Sequence, residues 1–161
     1  MHEATLCFLI KRKLKRIHRI CLAMKKRGFG AGRWNGVGGK VDGGKETIEK
    51  AMIRETREEI DVKIKNFYKI AELKFTFPHN KNWNQIVHTY FATSWGGKIR
   101  ESEEMKPKWF SPYNLPFNLM WPDDIYWLPK VLNNKFIKAE FTFGKDDMIL
   151  KKKIRSVRNL F

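Results

Sequence analysis

The sequence predicts an α+β fold, a mixed β-sheet sandwiched between α-helices. Strand-like runs recur along all 161 residues, two segments carry helical patterning, and neither a linker nor an internal repeat interrupts them. A single domain over residues 1–161 follows from that length and continuity.

Residues 5–10 and 17–24 have strand character, joined by the basic run Lys11-Arg12-Lys13-Leu14-Lys15-Arg16 as a solvated hairpin tip. A loop over residues 25–35 sets Gly28, Gly30 and Gly32 around Phe29 and Trp34, and a second glycine-rich stretch covers 36–44. A helix is expected over about 46–59, with Ile48, Met52, Thr56 and Ile60 as its i, i+4 apolar stripe. Residues 69–77 alternate, so Ala71, Leu73, Phe75 and Phe77 form the buried face of a strand. Residues 85–93 and 108–110 add strands. Residues 122–132 suit a helix with Pro122 in its first turn, and 136–143 and 148–154 give a β-rich end.

Apolar residues at 42% and aromatics at 14% argue for a filled interior and against disorder. No run of about 18 apolar residues occurs, and the apolar stretch before Lys11 is too short for a signal-peptide core, so a cytoplasmic chain without a membrane partner is expected. Cys7 and Cys21 lack metal or C-x-x-C spacing and are expected as buried thiols. A formal charge of +16 suits polyanions, either nucleotides or nucleic acid. Nucleic acid is the weaker expectation, because Lys, Asn, Ile and Phe rise together in AT-rich coding sequence. A monomer is expected.

The expected helix carries Glu55, Glu58 and Glu59 at i, i+3 and i+4, where about 3.6 residues per turn crowds their carboxylates together. A hard cation relieves that repulsion. Oxygen-only ligands suit Mg²⁺ or Mn²⁺ better than zinc, and Mg²⁺ commonly sits between carboxylates and a substrate's phosphates. Glu55 and Glu59 flank the apolar stripe, at the border between core and cleft.

Glu46, Arg54-Glu55 and Glu58-Glu59 resemble the Nudix signature, G-x5-E-x7-R-E-U-x-E-E-x-G-U, where U is aliphatic. From Glu46 onward every acidic and basic position matches. Three positions depart: six residues separate Gly39 from Glu46, Thr56 replaces an aliphatic residue, and Asp61 stands where the pattern has Gly. Glycine there ends the helix in a left-handed conformation that Asp tolerates at a cost of about 1 kcal/mol. The stretches 25–36 and 103–107, together with Met120-Trp121-Pro122-Asp123-Asp124, further resemble the animal MutT-homologue branch.

That resemblance implies Mg²⁺-dependent hydrolysis, with Mn²⁺ as a substitute, of oxidised purine nucleoside triphosphates such as 8-oxo-dGTP and 2-hydroxy-dATP. The products are the monophosphate and pyrophosphate, and damaged bases are kept out of nucleic acid. It implies a cation held by Glu55, Glu58, Glu59 and a carbonyl near Gly38 or Gly39, with Glu104 as an outside candidate from a facing loop. Arg54 would brace a glutamate, and Glu59 or Glu55 would take the water's proton. For the base, Trp121 offers a π face with Phe29 and Phe77 as walls, and Asn35 can donate and accept. Asp123 and Asp124, if desolvated, set a protonated donor beside an acceptor. Thr5 and Lys25 match pocket-lining positions.

Plainer readings stand beside these. Phe75 and Phe77 suit the core, Lys25 a solvated surface, and Asp123 and Asp124 the cap of the helix after Pro122. His18, His79 and His88 show no ligand spacing. Other activities open to the resemblance are hydrolysis of methylated purine triphosphates, dinucleoside polyphosphates or capped RNA, and a non-catalytic nucleotide- or RNA-binding module.

Overall fold

Along β1 (His2–Lys13) both faces are apolar, with Phe8 and Ile10 on one side and Cys7 and Leu9 on the other. Such a strand belongs in the middle of a sheet covered on both sides. In the computed structural model, which describes residues 1–160, β1 lies between β2 (Arg16–Lys25) and β5 (Gln85–Gly96). The sheet runs β3-β2-β1-β5-β4-β7-β8, with β3 at Trp34–Asn35, β4 at Lys63–Thr76, β7 at Phe136–Phe143 and β8 at Ile149–Val157. β6 (Met105–Phe110) also pairs with β2. The β1–β5 and β4–β7 pairs are parallel and the others antiparallel, so the sheet is mixed.

Helix α1 (Ile48–Ile60) covers one face through Met52 and Ile60, against Cys7, Leu9, Cys21, Ile64 and Tyr90. Helix α2 (Asp124–Leu132) covers the other through Trp127, Leu128 and Val131, packed with Phe8, Leu73, Phe91 and Phe141. Each large apolar side chain buried this way contributes about 1.5–3 kcal/mol. Both cysteines are unpaired and buried, and burial pushes each thiol up to about 12, so neither is a ready nucleophile.

The basic run from Lys11 to Arg16 is mostly strand, and the turn is only Leu14-Lys15, both at positive φ. β4 begins six residues before the alternating stretch, because register shifts at Ile64/Asn66, Asn66/Phe67 and Lys69/Ala71 break the period of two. α2 starts at Asp124 instead of Pro122. Asp123 is its N-cap residue, yet the side chain makes no capping hydrogen bond, so the capping reading of Asp123 fails. His88 has a structural role that its spacing did not suggest. It is buried between Lys69 Nζ (2.7 Å from Nδ1) and Glu3 (3.1 Å from Nε2).

Two of the motif departures are absorbed by α1 itself. Thr47 caps its start by accepting from the Lys50 N–H, and the buried Thr56 hydroxyl donates to the Met52 carbonyl at 2.7 Å, so no polar group is stranded. Asp61 closes the helix at φ 61°, ψ 35°, donating its N–H to the Arg57 carbonyl. Asp61→Gly removes the strain of that left-handed residue and is expected to stabilise the protein by about 0.5–1 kcal/mol, after allowing for glycine's extra unfolded-state freedom. Urea denaturation checks this; a lower midpoint for the variant contradicts it.

Candidate functional site

Residues 36–40 run along the N-terminal half of β1 with backbone against backbone. Thr5 N–H donates to the Gly39 carbonyl at 2.9 Å, and Cys7 and Val37 exchange bonds of 2.7 and 2.9 Å. Side chains have no room there. A Cβ on Gly38 would lie 1.8 Å from the Thr5 carbonyl oxygen, and one on Gly39 would lie 2.5 Å from the Glu55 carboxyl carbon. The Glu55 head is thus pressed against bare backbone. Glu59 is buried one turn on, accepts from the Gly38 N–H, and has its Oε2 buried without a partner.

Arg54 organises the acids around it. Its Nε and Nη2 form a fork on Glu46 at 3.0 and 2.6 Å, and its Nη1 donates to Glu55 at 2.8 Å and Glu58 at 3.3 Å. The fork holds the Glu46 carboxyl down to about 2. Glu55 shifts upward, chiefly by burial. Glu59 is pushed up to about 8, first by burial and then by the charges of Glu55 and Glu104. The Glu104 carboxylate itself pairs with Arg27 at 3.5 Å. Among the described residues no three acidic, histidine or cysteine side chains converge enough to hold an ion alone.

Beyond the glycines opens a cavity of about 370 Å³. It brings together Thr5, Lys25, Phe29, Asn35, Gly38, Gly39, Phe77, Trp121, Asp123 and Asp124, while Arg54, Glu55, Glu58, Glu59 and Glu104 stay outside its lining. Gly38 and Gly39 are the shared wall.

Asp123 and Asp124 are both buried at 2% exposure. Asp123 Oδ2 accepts from Trp127 Nε1 at 2.8 Å, and burial raises its carboxyl to about 6. Asp124 is raised further, by burial and then by the Asp123 charge, and its Oδ2 is buried without a partner. The two adjacent carboxyls therefore hold a proton more firmly than either would alone. The Asn35 Oδ1 accepts from the Gly36 N–H at 2.8 Å, so the side chain presents mainly its two amide donors, a narrower role than donor and acceptor together.

Trp121 is not a bare platform. The Arg33 guanidinium lies 4.1 Å from its ring, anchored by Asp147 at 2.9 Å, and the Phe29 ring lies 5.1 Å away. Phe29 is 42% exposed and also touches Trp83 at 5.0 Å. Phe77 is buried and both lines the cavity and stacks on Phe143 at 5.2 Å, so the core and pocket readings hold together. Phe75 likewise reaches the lining. Sequence reasoning missed Arg33, Trp83 and Phe143. Trp83 is an aromatic in a polar connection, which is a usable signal; Arg33 and Phe143 carry none.

A family model described as NUDIX domain matches residues 1–131. The chain belongs to the Nudix family. An oxidized purine nucleoside triphosphate hydrolase of Danio rerio is 44% identical over 142 residues, covering 88% of this chain and 90% of the relative. A Mus musculus protein of the same description is 44% identical over 139 residues, covering 86% and 88%. The crystal structure of a mutator MutT protein from Bacillus halodurans superposes with a TM-score of 0.79 at 23% identity, covering 96% of this chain and 97% of that one, a likeness of fold.

Nudix hydrolases generally use a divalent metal such as Mg²⁺, and the residues present fit a hard cation. The donors are all oxygen, Glu59 Oε2 is buried without a partner, and Gly39 leaves the space a Cβ would fill. The extra residue of this Nudix loop is taken up by a turn in which the N–H groups of Lys45 and Glu46 both reach the Asp42 carbonyl, and Glu46 still meets Arg54. Among the described residues no helix is long and apolar enough to cross a membrane.

Two stability outcomes follow. Gly38→Ala drives a Cβ into backbone and is expected to destabilise by about 3 kcal/mol or more, whereas Gly39→Ala meets a side-chain end that can swing aside and costs about 1 kcal/mol. Urea melts of equal depth contradict this. The second concerns Glu59, whose folded value of about 8 lies above its ordinary 4.5. The native state therefore favours the neutral acid, a contribution present below the ordinary value and lost as pH rises through about 8. Without divalent cations, Glu59→Gln is expected to exceed the wild type by about 2–4 kcal/mol at high pH and to match it near pH 4. A difference that does not change with pH contradicts the burial of this charge.

Proposed function

We propose that this Nudix hydrolase converts oxidised purine nucleoside triphosphates, 8-oxo-dGTP and 2-hydroxy-dATP among them, to the monophosphate and pyrophosphate, sanitising the nucleotide pool. The observation that carries the reading is the shared wall: Gly38 and Gly39 line the cavity with Asn35, Trp121, Asp123 and Asp124, and their other side meets Glu55 and Glu59. A base held in the cavity points its phosphates toward the acids. The two vertebrate relatives, matched over most of both chains, carry that description and support it.

Glu55, Glu58 and Glu59 would hold Mg²⁺ with a carbonyl of the loop, and the Gly38 carbonyl is favoured because the Gly39 carbonyl already accepts from Thr5. When bound, the ion neutralises phosphate charge and acidifies water. Arg54 keeps Glu55 and Glu58 oriented and is itself fixed by Glu46. Glu59, in its ionised form, would accept the water's proton through the Oε2 that has no partner within the protein, whereas Glu55 is held by Arg54. Glu104, paired with Arg27, contributes field and not contact. At the base, Asp124 donates, Asp123 accepts and the Asn35 amide donates. A proton moved between the two aspartates reverses their roles, which lets one pocket take two different oxidised edges.

Pyrophosphate release from 8-oxo-dGTP, 2-hydroxy-dATP and dGTP tests this. Both oxidised substrates are expected to exceed dGTP in kcat/KM by at least about 10-fold. Glu59→Gln is expected to lower kcat by about 10²-fold or more with little change in KM. Equal rates for wild type and variant overturn the role of Glu59, and a preference for dGTP overturns the specificity.

A further inference from the structure

At the end of the sheet away from the cavity, β1 and β2 run on as a two-stranded ribbon. The pairing of β1 with β5 ends at Leu9, that of β2 with β6 ends at Ile20, and from Lys11 to Arg19 the two strands pair only with each other. The turn Leu14-Lys15 lies about 25 Å beyond Leu6, the last cavity residue on β1, at roughly 3.3 Å per residue.

This ribbon breaks two local rules at once. Lys11 is paired across the strands with Arg19, and Lys13 with Arg16, so like charges face one another twice on one face. No Asp or Glu occurs between Glu3 and Asp42, and among the described residues none of Lys11, Lys13, Lys15, Arg16 and Arg19 lies within salt-bridge distance of an acid. The turn places Leu14 and Lys15 at φ 51° and 67°, where two-residue hairpins favour Asn-Gly. Lys11 is eased by the Trp109 ring 4.4 Å from its Nζ, and Arg12 donates to the Lys15 carbonyl and the Tyr68 hydroxyl, but no acid answers the facing Lys13–Arg16 pair at the tip, and such uncompensated violations mark functional places. The uncovered positive charge asks for a phosphate backbone.

We propose that the β1–β2 ribbon is a docking element for duplex DNA, entering the major groove with Lys13, Lys15, Arg16 and Arg19 on phosphates. A two-stranded ribbon fits that groove, about 12 Å wide, whereas the major groove of duplex RNA is too narrow. An anionic membrane is the poorer match, because lasting attachment to lipid takes a second, apolar signal and the ribbon exposes one large apolar side chain, Leu14 at 91%. The proposal stands on the ribbon alone and is independent of the substrate reading above.

Fluorescence anisotropy with a labelled 20-base-pair DNA duplex, from about 50 to 200 mM salt, tests it. Three proteins are compared: the wild type, the ribbon variant Lys13→Ser/Arg16→Ser, and a charge-matched control, Lys151→Ser/Lys153→Ser, at exposed lysines of β8 on the opposite edge of the sheet. The ribbon variant is expected to bind at least about 10-fold more weakly at low salt, with its log–log salt slope reduced by about 2, and the control to change less than about 3-fold. The ribbon variant is also expected to melt no lower than the wild type, a thermal scan that separates weaker binding from a damaged fold. Equal loss in ribbon variant and control, no wild-type binding at low salt, or tighter binding to single-stranded DNA or to phosphatidylserine vesicles than to the duplex overturns the proposal.

Discussion

The contact on which the rest of the molecule depends is the seat of Glu55 and Glu59 against the bare backbone of Gly38 and Gly39. Carboxylates are rarely drawn this far from water without a partner, because the charged form loses its hydration. Two neighbouring acids under one glycine strip make that loss mutual, which is why Glu59 shifts to about 8. The arrangement holds because Arg54 fastens Glu55 to Glu46, and because the strip is itself bonded to β1 through Thr5 and Cys7. An arginine with five acceptors, the Lys40 carbonyl among them, and a loop without side chains together keep an otherwise repulsive cluster in register.

From that seat the architecture extends in two directions. The glycine strip turns its other side to the cavity, so the distance between the acid cluster and the cavity is set by the thickness of one peptide chain. On the far side of the cavity α2 presents Asp123 and Asp124, and these too are buried acids, Asp123 bonded to Trp127 Nε1 and Asp124 raised further by the charge of Asp123. Both ends of the site thus use the same device: burial and a neighbouring acid raise a carboxyl. The charge at each end is tuned by packing, and the packing is supplied by the two helices on opposite faces of the sheet.

Much of this was legible in the sequence, for identifiable reasons. Spacing on a helix is rigid, so Glu46, Arg54, Glu55, Glu58 and Glu59 could be placed relative to one another, and the Met-Trp-Pro-Asp-Asp run announced the far wall. What escaped depended on contacts between segments distant in the chain. The Arg33–Trp121–Asp147 stack joins three separate loops. Trp83 meets Phe29 across about fifty residues. The local bond from Gly36 that turns Asn35 toward donation depends on a backbone angle no pattern encodes. β4 was shortened for the opposite reason, since its bulges destroy the alternation by which strands are recognised. Composition makes the basic run a solvated hairpin tip, and the structure narrows that tip to Leu14-Lys15 between cross-strand pairs of like charge, which composition does not reveal.

The Gly38–Gly39 seat holds an unfavourable, proton-holding carboxylate pair that a hard cation would relieve. Calorimetric titration of Mn²⁺ near pH 7, repeated in buffers of different ionisation enthalpy, counts the protons released on binding. Close to one proton released by the wild type, and close to none by Glu59→Gln, is the result this account predicts. Proton-neutral binding by the wild type, or the same release from both proteins, would contradict it.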